Sequence, residues 1–330
     1  MKYGAVLCLL ACAAGCVLGQ EEGELTAKRR LFPAIGPGLR TVKRGKDGRF
    51  YVLASPAPGL AVFDAAGKQV LSVGAPLPEA AGKAARSPMI FGEDCDVDVD
   101  GRIYVADRGA NSVLIFSKEG ALLRSISVPS PVSIAAMPEG EVGVATLREP
   151  HLVIVFDKNG RDVREFGDPE SIAQRDELNR FLNIGKLATD DQGHLYYAFE
   201  YFPEPTVRQY DRYGYSKLEI QYTAIEALTT ARAVRREIDR QERRGDTPIF
   251  KRVLTAAGVE RASGEVWIAL HNTLLHFDRE GNRRASYQLY TPQGSRLEAD
   301  TILVEKDRLI IGSDPLGIYE FERPQKNFQE

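Results

Sequence analysis

Short apolar runs alternate with polar turns along most of this chain. Runs such as RIYVAD, from Arg102 to Asp107, and HLYYAF, from His194 to Phe199, are rich in β-branched and aromatic residues, which favour strands. Glycine-containing groups such as DG, KEG and KNG separate the runs and are typical of tight turns between antiparallel strands. The pattern therefore predicts an all-β protein made of many short strands.

One unit of this pattern recurs six times. Each copy has a glycine turn, a strand, a loop, a second strand that generally ends in Phe or Tyr, another turn and a third strand. The copies begin at Asp47, Asp100, Glu139, Gln192, Ser263 and, in degenerate form, Asp307. A further short strand precedes each copy, as CDVDV precedes Asp100. Six four-stranded antiparallel units predict a six-bladed β-propeller that forms a single domain over residues 20–330.

The repeats resemble those of the NHL family of six-bladed propellers, whose units follow approximately dG-lYVaD-x-gn-x-I-x-vFd-x-x-G. The resemblance covers most of residues 40–323 and is strongest in DGRIYVADRGANSVLIFSKEG, which begins at Asp100. It implies the propeller fold. An amidating lyase of this group uses several histidines and a bound metal, whereas this chain has four histidines in total.

The two ends of the repeat region indicate how the ring closes. The sixth copy stops after its third strand, before Pro324, whereas ELTAKRRLF, from Glu24, has the pattern of an unpaired strand. We expect the N-terminal strand to complete the last blade, because this would remove two exposed strand edges.

Loop lengths distinguish the two faces of the predicted disc. In antiparallel blades, the turns between strands one and two and between strands three and four lie on one face. These turns are uniformly short, which defines a tight-turn face. The long insertions, at residues 74–94, 167–185 and 222–253, all belong to the opposite, loop-rich face. Because elaborate loops usually carry function, we expect ligand binding there, around the mouth of the central channel.

Two of the insertions are predicted to contain helices. The first is expected at about 168–184, with Asp168 as its cap and Pro169 in its first turn. The second is expected at about 222–245, ending at Gly245. From Arg232 onward, the second helix has six arginines against three acids, which fits either a solvated face with ion pairs along the helix or an anionic partner.

Charge and composition narrow the classes of partner. With 43 basic and 46 acidic side chains, the chain has no excess charge that would favour nucleic acid or an anionic membrane. No segment after the N-terminus approaches the roughly 20 apolar residues of a membrane span. We therefore expect no nucleic-acid partner, no transmembrane helix and a monomer.

The N-terminus has the pattern of an export signal. Residues 1–19 contain one lysine and an apolar run, and an acidic stretch follows, so a secretory signal cleaved after Gly19 is predicted. The alternative is a bacterial lipoprotein, lipidated at Cys16 after AAG. The first places the protein in the periplasm or the extracellular space, and the second would make it a membrane-anchored lipoprotein. Cys95 is then left without a disulfide partner, and we expect it to be buried.

Repeat alignment places several polar residues near the channel mouth. The candidate ligand-binding residues are Asp94, Asp96, Arg148, Glu149, His151, Glu200, Tyr201, His271 and Asn272. No G-x-S-x-G, H-E-x-x-H or P-loop pattern occurs, so no catalytic residue is assigned and no cofactor is predicted. The alternative is a calcium or zinc site that draws on Asp96, Glu149, His151 and His271.

The stretch DCDVDVDG, Asp94 to Gly101, contains the D-x-D-x-D-G opening of a calcium-binding loop. In a strand, residues two apart are separated by roughly 6.6 Å, so Asp96, Asp98 and Asp100 would span about 13 Å and could not share one ion. We therefore assign it to the innermost strand of the second blade, where Asp94 and Asp96 would make the mouth acidic.

These observations favour an exported binding module for a protein, peptide or glycan. The alternative is a metal-dependent hydrolase, lactonase or lyase of the same architecture, because a fold does not by itself define a function.

Overall fold

The computed structural model describes residues 21–55, 59–74, 89–147, 150–223, 228–245 and 248–324. The described residues form six twisted sheets. The first four sheets are blades I to IV, and each contains four strands in antiparallel order. Blade I contains β3 (Leu39–Arg44), β4 (Phe50–Ala54), β5 (Gly59–Phe63) and β6 (Gln69–Val73). Blade II contains β7 (Gly92–Val97), β8 (Ile103–Asp107), β9 (Ser112–Phe116) and β10 (Leu122–Ser127).

The remaining blades continue the same order. Blade III contains β11 (Pro131–Ala136), β12 (Val142–Thr146), β13 (Val153–Phe156) and β14 (Asp162–Phe166). Blade IV contains β15 (Gly185–Thr189), β16 (Leu195–Phe199), β17 (Thr206–Tyr210) and β18 (Ser216–Gln221). Blade V contains β19 (Ala256–Val259), β20 (Val266–Leu270), β21 (Thr273–Phe277) and β22 (Arg283–Tyr290). Blade VI contains β23 (Thr301–Val304), β24 (Arg308–Ser313) and β25 (Gly317–Glu322). This arrangement confirms the predicted six-bladed β-propeller.

Two N-terminal strands close the ring. β2 (Arg29–Leu31) pairs antiparallel with β25 and becomes the fourth strand of blade VI, which confirms the predicted closure. β1 (Glu21–Thr26) pairs with β22 in parallel and adds a fifth strand to blade V. The N-terminal segment therefore bridges the last two blades.

The hydrophobic core lies between neighbouring blades. The middle strands are buried along their whole length, because side chains on both faces of a blade pack against the adjacent blade. One cluster joins Leu53 and Val62 of blade I to Val105 of blade II. Cys95 lies in this cluster with its side chain fully buried, and burial raises the pKa of its thiol.

A repeated turn explains the acid, or in one case serine, and the glycine that follow the third strand in blades I to V. In blade III, the Asp157 carboxylate accepts hydrogen bonds from the N–H groups of Asn159 and Arg161, and Gly160 adopts a left-handed φ of 74°. A side chain with a β-carbon is disfavoured in that conformation, whereas glycine is not. Matching residues start the turns of the other blades: Asp64, Ser117, Asp211 and Asp278.

The helices of the insertions are shorter than predicted. α1 covers Asp176–Leu182 and does not begin beside Asp168. The Asn179 side chain accepts hydrogen bonds from the N–H groups of Ile172 and Ala173, so this backbone is held in a loop that competes with helix.

α2 covers Leu228–Arg244, and residues 224–227 of the predicted helix lie outside the described residues. Gly245 ends it with φ +75°, as predicted. Val234 and Ile238 pack into the cluster between blades IV and V, and Arg240 pairs with Glu237 on the solvent side. Across the described ranges, neither helix combines the length and apolar character that a bilayer crossing requires.

Candidate functional site

The mouth of the central channel, on the loop-rich face, is a cavity of about 340 Å³. It is lined by the beginnings of inner strands, by the connections that precede them and by the loops that follow the second strands of several blades. Its charged lining consists of four cations and four carboxylates: Arg40, Arg108, Lys186, Arg252, Glu93, Glu200, Asp300 and Asp314. These charges are not distributed evenly around the mouth.

One side, which we call the cationic half, combines Arg40, Arg108 and Lys186 with one carboxylate, Glu93. Arg108 pairs with Glu93 at 2.6 Å, whereas Arg40 approaches the other Glu93 oxygen only to 3.8 Å. Both guanidinium groups also lie over the Phe91 ring, at 5.0 and 5.4 Å from its centroid, which orients them by cation–π attraction.

Lys186 extends from β15 across the neighbouring inner strands. Its Nζ lies 3.3 Å from the carbonyl oxygen of Val132 and 3.4 Å from that of Glu93. Within the described residues, no carboxylate lies within ion-pair distance of this ammonium. The carbonyl groups hold the ammonium in place but leave its charge uncompensated.

The opposite side, the acidic half, combines Glu200, Asp300 and Asp314 with one cation, Arg252. Arg252 lies 3.5 Å from Glu200 and 2.5 Å from Asp300. Burial disfavours the charged guanidinium, but the two carboxylates outweigh it and raise the pKa of Arg252. Asp314 accepts a hydrogen bond from the Gly38 N–H.

Tyr201 lies between the two halves. Burial, with Glu200 next in importance, raises the pKa of its hydroxyl to about 12. Arg252 opposes this shift, and Glu93 and Arg108 of the cationic half also act on it. The phenol therefore stays protonated at neutral pH and keeps a donor for a ligand.

Asp94 and Asp96 lie deeper, in the wall between blades II and III. Asp94 accepts hydrogen bonds from Cys95 N–H and, in β11, from Ile134 N–H and the Ser133 hydroxyl. Asp96 accepts from the N–H groups of Val97 and Ala136. Both side chains are buried, so β7 presents Glu93 to the mouth cavity and not the acidic pair expected from sequence.

Lys43 of β3 interacts electrostatically with this pair. Burial opposes its charge, but Asp94 and Asp96 together raise the pKa of Lys43. The inner strands of blades I, II and III are thus coupled by charge as well as by hydrogen bonds. The alternation in DCDVDVDG also separates its other acids: Asp98 caps the turn, where it accepts from Arg102 N–H and the Tyr104 hydroxyl.

The structure brings two of the predicted ligand-binding residues, Glu200 and Tyr201, into the mouth cavity. Arg148 and Glu149 lie outside the described residues. His271 and Asn272 form the tight turn between β20 and β21, where His271 has φ +60° and lies 3.6 Å from Glu298. A binding role for these residues stays a prediction.

His151 lies in a separate groove of about 490 Å³ between the β12–β13 loop and α1. Its Nδ1 is 3.4 Å from Asp168. Four residues are predicted as the alternative metal ligands. Three of them, Asp96, His151 and His271, have different neighbours and do not contact one another. Among the described residues, no three His, Cys, Asp or Glu side chains are grouped to hold a metal ion.

The sequence did not identify most of the charged mouth residues, although a signal for them exists. Four lining residues occupy the same place, the second position of an inner strand: Arg40, Glu93, Val132 and Lys186. Aligning the innermost strands, instead of the more regular second and third strands, would have found this ring. Arg252 and Asp300 lie in connections between blades and follow no repeat, whereas Asp314 lies in the loop between β24 and β25 of blade VI.

Comparisons with known proteins agree with the fold. No protein-family model and no curated protein matches the chain. Solved structures of six-bladed propellers do match this chain. Among them is a streptogramin B lyase, with 13% sequence identity and a TM-score of 0.56. The match covers 91% of this chain and 88% of the lyase.

Virginiamycin B lyase from Staphylococcus aureus gives 12% identity and a TM-score of 0.52, covering 90% of this chain and 88% of that one. The structure of its catalytically inactive histidine-to-alanine variant with quinupristin gives 10% identity and a TM-score of 0.55. That match covers 90% of this chain and 98% of the variant. At such identities the likeness establishes the six-bladed β-propeller class and does not transfer an activity.

Proposed function

We propose that this protein is an exported binding module whose loop-rich face takes up a ligand at the channel mouth. The observation that carries the proposal is the convergence of eight charged side chains and Tyr201 on one cavity. A cavity of this kind, with several polar groups directed into it, is the usual form of a ligand site. The NHL-like repeats and the helical insertions on the same face support it.

A peptide fits this mouth better than a glycan. Glycan platforms depend on exposed aromatic rings, and within the described lining Tyr201 is the single aromatic residue. Charged groups of both signs instead match the mixture of ammonium, carboxylate and amide groups in a peptide. We therefore favour a peptide or an exposed segment of a protein as the ligand.

Export supports the same role. The signal-like residues 1–19 are followed directly by β1, which begins at Glu21. Cleavage after Gly19, or lipidation at Cys16 as the alternative, would leave both N-terminal strands in the mature domain. The exported protein would then retain a closed ring and an accessible mouth.

Array binding tests the proposal. The purified protein would be applied to a glycan array and to a random-peptide array, with Tyr201→Ala and Arg108→Ala as mouth variants. The peptides are attached through a side chain, so that both termini stay free. Tyr213→Ala and Arg212→Ala, on the tight-turn face, are matched controls. We expect peptide signals that the mouth variants reduce at least about tenfold and the controls preserve. Peptide signals that survive both mouth variants would contradict the proposal.

The enzyme alternative has a separate test. A hydrolase, lactonase or lyase that depends on calcium or zinc should contain a stoichiometric ion, and EDTA should lower its melting temperature. The binding proposal expects no bound ion by elemental analysis and the same melting temperature with EDTA, calcium or zinc. A tightly bound ion whose removal destabilises the protein would favour the enzyme.

A further inference from the structure

We infer that the channel mouth recognises a zwitterionic ligand, namely a short peptide whose carboxylate and ammonium termini are both free. The carboxylate would lie against Arg40 and Lys186, and the ammonium against Asp314. This inference rests on the proposed function and adds the chemical class of the ligand. It follows from which charges of the mouth are already compensated and which are not.

The cationic half has capacity for one more anion. Glu93 gives its close contact to Arg108, at 2.6 Å, and meets Arg40 only at 3.8 Å. The Nε of Arg40 is buried without a hydrogen-bond partner among the described residues. Lys186 contacts only carbonyl oxygens there, at 3.3 and 3.4 Å. In the described part of the chain, neither cation has a carboxylate in close contact, so a ligand carboxylate that meets both would form charge-assisted hydrogen bonds and would be favoured.

The two cations share a neighbour, Glu93. Lys186 Nζ contacts the backbone carbonyl of Glu93, and the side chain of the same residue faces Arg40. A carboxylate has two oxygens, so it can accept one hydrogen bond from each cation. Phe91 supports this geometry because its ring restricts the Arg40 guanidinium.

The acidic half has capacity for one more cation. Arg252 compensates Glu200 and Asp300, the two less exposed carboxylates of that side. Asp314 receives a hydrogen bond from Gly38 N–H, but within the described residues no cationic side chain pairs with it. Asp314 is exposed at the rim, where a ligand ammonium can approach it from solvent.

The pairing of opposite halves selects against simpler ligands. A phosphate or an acidic side chain would satisfy Arg40 and Lys186 but would be repelled by the three carboxylates opposite. A metal ion or a polyamine would meet the reverse problem. A ligand that carries both charges gains on both sides, and Tyr201 between them can donate to an amide carbonyl. The cavity of about 340 Å³ suits a peptide of a few residues.

Equilibrium dialysis with defined peptides tests this inference. The probe is a mixture of tripeptides with uncharged side chains, prepared with free termini, with an amidated C-terminus or with an acetylated N-terminus. Bound peptide is measured by mass spectrometry. For the unmodified protein, we expect amidation and acetylation each to weaken binding at least about tenfold, because each removes a charge-assisted contact.

Two variants assign each terminus to its half. In Lys186→Gln the effect of amidation should decrease, because Arg40 alone is left to meet the ligand carboxylate, while the effect of acetylation persists. In Asp314→Asn the effect of acetylation should vanish, while that of amidation persists. Arg212→Gln and Glu139→Gln, on the tight-turn face, are the matched controls and should retain both effects.

The outcomes also separate this inference from the proposed function. If free tripeptides do not bind, or if they bind as well after amidation and acetylation, the zwitterion inference is wrong. In that case, the proposed binding function would still hold if Tyr201→Ala and Arg108→Ala reduced the binding of peptides on the array. A further outcome is that amidation and acetylation weaken tripeptide binding to Lys186→Gln and Asp314→Asn as strongly as to the unmodified protein. That result would show that the peptide termini do not bind at the mouth.

Discussion

At the scale of single residues, Asp94 and Asp96 show how carboxylates near a channel can serve the fold. The edge of an inner strand leaves N–H groups without a partner in its own blade, and buried N–H groups need one. Asp94 and Asp96 supply acceptors from the neighbouring blade to Ile134 and Ala136 of β11. Their charge is in turn balanced by Lys43, whose pKa they raise.

Replacing Asp96 should therefore weaken the fold. Asp96→Ala leaves the N–H groups of Val97 and Ala136 without acceptors, and we expect a loss of about 2–4 kcal/mol in the free energy of unfolding. Asp96→Asn keeps one acceptor and should lose less. Asp100→Ala, in the same stretch but exposed, should change stability by less than about 0.5 kcal/mol.

Urea denaturation measures this series. Equal midpoints for Asp96→Ala and Asp100→Ala would mean that the inter-blade hydrogen bonds contribute nothing to stability.

At the scale of elements, β1 and β2 have different structural roles although they are adjacent in sequence. β2 completes blade VI and covers the edge of β25. β1 adds a parallel strand to a blade that already has four, by pairing with β22. β1 therefore covers the edge of β22, whereas β2 closes the ring.

Truncation should separate these two contributions. A protein that starts at Ala27 loses β1 but retains all six four-stranded blades, so we expect a small decrease in melting temperature. A protein that starts at Phe32 also loses β2, exposes the edge of β25 and should melt at a much lower temperature and aggregate. Calorimetry and size-exclusion chromatography measure both, and similar behaviour of the two truncations would contradict the closure role of β2.

At the scale of the whole molecule, the joint between blades V and VI depends on Arg323. This guanidinium follows β25, pairs with Glu260 at 2.9 Å and with Glu265, and lies 5.7 Å from the centroid of the Trp267 ring. Its side chain is 10% exposed, so the charges are largely shielded from water. One residue thus connects the last blade to its neighbour on the tight-turn face.

The joint should make stability depend on pH. Burial opposes ionisation of Glu260, but hydrogen bonds from Arg323 and Ser263 prevail and lower its pKa below 4.5. A carboxyl whose pKa is lower in the folded state stabilises the protein above its unfolded pKa, and this contribution is lost as the pH falls through the folded value. Arg323→Gln should therefore cost about 3 kcal/mol at pH 7 and progressively less below about pH 4.

Unfolding measured by urea between pH 3 and pH 7 tests this expectation. Arg279→Gln, which removes an exposed pair with Glu280, is the control and should leave the stability almost unchanged throughout. A cost for Arg323→Gln that does not decrease at low pH would rule out this ion pair as its source.

The turns and strands could be predicted from the sequence because the interactions that form them join residues close together in the chain. The acid and glycine of each outer turn act within a few residues, as Asp157 and Gly160 do, so their recurrence revealed the blades. The closure by β2 followed from counting strands. The start of α1 was not predictable in this way, because Asn179 organises the backbone that precedes the helix.

The candidate site shows the same division. Glu200 and Tyr201 were placed near the mouth because repeat alignment fixes which loops lie on the loop-rich face. Asp94 was expected there too, but a strand alternates its side chains, and Glu93 is the residue that faces the cavity. Arg252 and Asp300 meet through connections whose paths carry no repeat signal.

The sequence by itself determined the six four-stranded blades, the closed ring and the face that carries the long loops, because strand period and turn chemistry act between near neighbours. Tertiary structure alone decided which charges meet. Lys186 reaches a carbonyl of Glu93, and Arg252 reaches Asp300, over sequence separations that no local pattern encodes. Charges interact through space, so the cationic and acidic halves of the mouth exist only in the closed propeller.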